Sequence, residues 1–208
     1  MNRHLKRSSK RSAGGFQLAE MAVVLGLVGL LATIAVPDIL ALTARHRVTS
    51  AAAELASTLY LARATASRLS TNVGVKFRTA QDGNVTFTLY RDGDGDGVLN
   101  ADIDRGVDPA IGPARRLNNL GPRVGFGFPP GPAPRDPADP GHRLGDLHDP
   151  IRFNRSDIAS FSSLGASTPG SLYVSDHQSQ LAVVRVLGRT GRIRILLYDA
   201  EREVWEGR

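Results

Sequence analysis

Apolar residues fill the chain from Phe16 to Val36 almost without interruption, and beyond Pro37 their spacing changes. They then recur at Val48, Ala52, Leu55, Leu59, Ala62, Ala66 and Leu69, in steps of four and three, with Arg45, Arg47, Glu54, Arg63 and Arg68 off that line. This spacing lays a single apolar stripe along an α-helix. From Val73 the period drops to two: Val73, Val75 and Phe77, then Val85, Phe87 and Leu89, with Thr-Ala-Gln-Asp-Gly at 79–83 between them. Alternation around a turn-rich link predicts a β-hairpin. Further strands are expected at 151–153, 171–174, 181–187 and 192–198. Seven of the twelve prolines fall between 129 and 150, where an irregular loop is expected.

At about 1.5 Å per residue, Phe16 to Val36 would reach roughly 31 Å, the thickness of a hydrocarbon core. The expected fold class is therefore α+β, a long N-terminal transmembrane and spine helix packed on an antiparallel β-sheet domain. Pro37 should kink that helix, because it lacks an amide hydrogen. The expected divisions are a leader at 1–15, a membrane and assembly segment at 16–37, an amphipathic continuation at 38–70 and a β-rich globular domain at 71–208. A chain of 208 residues accommodates one such domain and an appendage.

Charge sharpens this division. The leader carries Arg3, Lys6, Arg7, Lys10 and Arg11 and no acid, so without it 26 minus 5 basic residues face 20 acidic ones, a net of about +1. The formal +6 of the whole chain is thus mostly leader, and nucleic acid is not an expected partner. Basic residues before the apolar run place the leader in the cytoplasm and the rest across the membrane. The expected location is the bacterial inner membrane, single-pass, with the C-terminal domain in the periplasm and later in a filament. The chain has no cysteine, which excludes disulfides, thiolate metal sites and a cysteine nucleophile.

Glu20 is the one charge inside the apolar run. An ionised carboxylate costs up to about 3 kcal/mol at a bilayer centre and less near its edge, so Glu20 calls for a partner. Cleavage after Gly15 would supply one, the new α-amino group of Phe16, from the same helix or from a neighbouring subunit. Ordinary signal cleavage is disfavoured, since Ala41-Leu-Thr-Ala44 sets Leu42 where a small residue is needed.

Gly15-Phe16-Gln17-Leu18-Ala19-Glu20, the apolar run and Pro37 together resemble the type III signal of type IV pilins and type II secretion pseudopilins. Gln17 and Ala19 depart from the usual Thr, Ile or Leu. SAAAELASTLYLARATASRLSTNVGVKF at 50–77, IRFNRSDIASFSSLGASTPGSLYVSD at 151–176 and VVRVLGRTGRIRI at 183–195 resemble the H-type minor pseudopilins, while 92–150 has no counterpart. The resemblance implies prepilin peptidase cleavage between Gly15 and Phe16, N-methylation of Phe16, and filament assembly through Glu20. It implies a minor pseudopilin that helps drive export of folded proteins across the outer membrane. A minor type IV pilin for pilus priming or DNA uptake is the alternative. Implied partners are other pseudopilins or pilins, the prepilin peptidase, an inner-membrane assembly platform and membrane lipid before assembly.

Three clusters could carry chemistry. RDGDGDGVLNADID places Asp92, Asp94, Asp96, Asn100, Asp102 and Asp104 around glycines, an oxygen-rich loop of the kind that holds Ca²⁺. Its twelfth position is Ile103, however, with Asp102 and Asp104 on either side, so an acidic turn without a metal is favoured and no cofactor is expected. Arg189, Arg192 and Arg194, with Arg185, offer a basic patch that could touch a phosphate backbone, though a solvated strand face is favoured. His142, Asp146, His148 and Asp149 have ligand atoms without ligand spacing. No nucleophile elbow or phosphate loop is present, so no enzyme is expected.

Overall fold

A computed structural model describes residues 18–81, 83–117 and 124–207. The chain divides into two compact units, Met1–Leu42 and Thr43–Arg208. One helix, α1 (Leu18–Leu69), contributes to both and continues through position 37. In the second unit its stripe is buried at Val48, Ala52, Leu55, Leu59, Ala62 and Ala66, with Ala51 and Ala56 beside them, while Leu69 is exposed. Two polar residues on this buried stretch satisfy themselves locally, Thr49 donating to the Arg45 carbonyl and Thr58 to that of Glu54.

Two antiparallel sheets dominate the second unit. In the first, the order is β3 (Arg115–Arg116), β2 (Val85–Arg91), β1 (Val73–Thr79) and β6 (Ile158–Phe161). The hairpin pairs Val75 with Leu89 and Phe77 with Phe87. In the second sheet, the order is β10 (Val204–Gly207), β9 (Arg192–Asp199), β8 (Leu181–Leu187), β7 (Gly170–Ser175) and β4 (Gly125–Phe126), with β5 (Ile151–Arg152) also on β7. The α1 stripe, Val73, Val75, Phe77, Phe87, Phe153, Phe161, Leu172 and Val184 form one core. A six-residue helix, α2 (Asn100–Arg105), follows the acidic loop.

The proline-rich stretch has a definite job. Leu144 is buried against Tyr173, Leu181 and Val183, joined by Phe128, Leu147 and Trp205, on the sheet face opposite the main core. This explains why β8 reads Leu-Ala-Val-Val-Arg-Val-Leu without polar alternation: both of its faces are covered. The Trp205 indole donates to the Arg135 carbonyl at 2.6 Å, and Arg135 and Arg143 both pair with Glu203.

The expected fold class needs correction on two points. Two antiparallel sheets rather than the helix dominate the fold, and the helix is not a membrane span: among the described residues, no helix is long and apolar enough to cross a membrane. The charge-free stretch between Glu20 and Asp38 explains this. From Met21 to Pro37 it has seventeen residues, about 26 Å of helix against a hydrocarbon core of about 30 Å. The location inferred from that span, a single-pass inner-membrane protein with a periplasmic domain, falls with it. The observed architecture is a mixed fold of helix and antiparallel sheet.

Candidate functional site

Gly15 and Phe16 lie outside the described residues. Glu20 lies in the first turn of α1, where the exposed amides of the helix start favour a carboxylate. Around it the side chains of Leu18, Met21, Val24, Leu25, Val28 and Leu31 are all exposed. Such a surface is far more apolar than a solvated helix face normally is.

The acidic loop is built around Asp92. Its side chain is buried, only 5% exposed. One carboxylate oxygen accepts from the Gly95 amide at 2.7 Å; the other accepts from Gly97 at 3.0 Å and from the Asn72 side chain at 2.7 Å. Burial pushes its pKa up, but the bonds from Asn72, Gly95, Gly97 and Asp94 together hold it below the ordinary carboxylate value. Gly95 and Gly97 have φ of 95° and 108°, which L side chains rarely adopt. The glycine alternation is therefore a backbone requirement of the turn.

Asp92, Asp94 and Asp96 offer oxygens within 4.8 Å of one another. Partial desolvation raises the Asp96 pKa, as do a hydrogen bond with Asp94 and the charges of Asp94, Asp102 and Asp92. Like charges this crowded can hold a divalent cation through oxygen ligands. The structure leaves Asp102 out of that cluster: it is buried and pairs with Arg105. Ile103, at the position where a closing carboxylate would be needed, is buried with Val98 and Ile158. Asp104 pairs with Arg78 at 3.0 Å.

Asp108 was not foreseen as part of this loop. It is buried and accepts from the Gly93 and Leu99 amides, both at 3.0 Å, tying the two ends of the loop together. The acid series in the sequence extends to it, but the twelve-residue spacing rule stops short.

Arg192 and Arg194 are both exposed and two residues apart on β9, so they share a face; Arg189 is exposed in the turn before it. Arg185 stands opposite Arg194 in the register but donates to the Pro137 carbonyl. The four residues in the proline-rich stretch do not converge. His142 meets Asp139 at 2.7 Å, Asp146 accepts from the His148 amide at 2.8 Å, and Asp149 accepts from that of Ile151 at 3.0 Å. No family model, curated protein or solved structure matches this chain.

Proposed function

We propose that the protein is a structural subunit of a pilin-like filament, a minor pseudopilin of type II secretion that helps drive folded proteins through the outer membrane. The observation carrying this reading is the contrast along α1. From Val48 to Ala66 its stripe is buried in one core with residues of both sheets, whereas the described large apolar side chains between Leu18 and Leu42 are exposed. A helix surface this apolar associates with other apolar helices. In a filament those helices belong to neighbouring subunits, and Glu20 pairs there with the amine freed at Phe16. The prepilin peptidase frees that amine and methylates it, and a separate assembly platform adds the subunit.

Two measurements on the native source test this. N-terminal sequencing is expected to find Phe16 as the first residue. Crosslinking of sheared surface fractions is expected to place the chain beside other subunits, and Glu20→Ala should lower that incorporation while leaving cleavage intact. A chain that is uncut where prepilin peptidase is active would overturn the reading. So would a deletion strain that secretes normally but loses transformation, which would assign the protein to DNA uptake.

A further inference from the structure

The larger sheet ends in a notch. β9 pairs with β8 from Arg192 to Leu197, but on its other side β10 covers only Leu196–Asp199. No described strand lies beside Arg192–Ile195. Two other edges are closed by the chain itself: that of β2 by β3, by the Ile111 amide on the Leu89 carbonyl and by the Arg91 amide on the Pro109 carbonyl, and that of β6 by the Thr168 amide on the Ser160 carbonyl and the Ser162 amide on the Ala166 carbonyl. A cavity of about 550 Å³ occupies the notch, between Ala56 and Tyr60 of α1, the open part of β9 and Gly207. The Tyr60 hydroxyl, on a side chain that is 50% exposed, donates to the Ile193 carbonyl at 3.2 Å. The backbone of Ile193 therefore faces the cavity, and strand alternation turns that of Ile195 the same way.

We propose that this notch takes an extended, acidic segment of a partner protein as an added strand on β9. Main-chain bonds to an open edge supply affinity, and side chains at alternate positions supply choice. On the outer face those positions lie beside Arg192 and Arg194, which carboxylates two residues apart would pair with directly. On the inner face the intervening side chain meets Ala56 and Tyr60 and is small and apolar. A second copy of this chain fits poorly: two-fold pairing about Ile193 sets Arg192 of one copy against Arg194 of the other, and like charges facing across strands repel. The arginines thus protect the edge from self-pairing while selecting an acidic strand. The inference stands on the sheet edge alone and does not depend on the filament reading.

The test uses the full chain and three labelled pentapeptides. One carries glutamate at its second and fourth positions with valine between; one has lysine in place of glutamate; one is the glutamate peptide N-methylated at valine. Only the first is expected to bind, and to slow hydrogen exchange at the Ile193 and Ile195 amides. Arg192→Glu with Arg194→Glu, an exposed pair whose exchange should leave the fold intact by circular dichroism, is expected to weaken the glutamate peptide about tenfold and to admit the lysine peptide. Equal binding of all three peptides, protection away from β9, or a double variant that keeps its preference for glutamate would overturn the proposal. A DNA duplex that protects these amides where the peptide does not would overturn it too.

Discussion

At the scale of single residues, Asp92 separates structural from ligand roles. It accepts from the Asn72 side chain and from the Gly95 and Gly97 amides, so Asp92→Ala is expected to destabilise the chain by about 2 kcal/mol in urea unfolding at pH 7. Asp94→Ala, at an exposed side chain, should change little. The pH dependence has a definite sign. Because the folded pKa of Asp92 is depressed, the folded state binds fewer protons than the unfolded one as acid is added. Its contribution is complete above the unfolded value of about 3.9 and is lost as pH falls through the lower folded value. Urea midpoints from pH 6 to pH 2 should therefore fall less steeply in Asp92→Ala than in the parent. Calcium is expected to act on the same loop more weakly. With no closing carboxylate at Ile103, a dissociation constant of about 1 mM is expected, so 1 mM CaCl₂ adds about 0.4 kcal/mol, one or two degrees of melting temperature. A rise of several degrees at that concentration, lost in Asp94→Ala, would assign the loop as a tight site.

At the scale of elements, stability rests on apolar faces more than on ion pairs. Leu59, fully buried on α1, is expected to cost about 2–5 kcal/mol when truncated to alanine, whereas Leu61, on the exposed side of the same turn, should cost little. The proline-rich cover follows the same rule. Leu144→Ala should destabilise by about 2–3 kcal/mol, but Glu203→Gln should barely move the melting midpoint, because solvent screens its pairs with Arg135 and Arg143. These elements were unequally legible in the sequence. The α1 stripe and the β1–β2 hairpin follow from periodicity, since in each the large apolar residues recur on one face. The cover at 129–150 does not, because prolines signal the lack of a regular strand and say nothing of where the segment packs. The short strands β3 and β4 have two residues each, too few for a period, whereas β5 lies within the strand expected at 151–153. In the acidic loop, the convergence of Asp92, Asp94 and Asp96 was readable from spacing. The diversion of Asp102 to Arg105 and the closure by Asp108 depend on α2 and the turn after it.

At the scale of the whole molecule, the chain separates near Leu42 into two units with different needs. Residues 43–208 contain both sheets and every residue of the three apolar clusters. Their stability should therefore owe nothing to the first unit. The exposed apolar residues from Leu18 to Leu42 gain nothing from that core and should drive association instead. A fragment of residues 43–208 is accordingly expected to melt cooperatively within a few degrees of the full chain and to sediment as a monomer. The full chain should sediment as larger species, and replacing Leu25, Val28 and Leu31 with serine should shift it toward the fragment's behaviour without changing its melting temperature. Two results would count against this division of labour: a fragment that fails to fold, which would make α1 before Thr43 part of the core, or a full chain that stays monomeric, which would leave the apolar surface without the partner helices a filament requires.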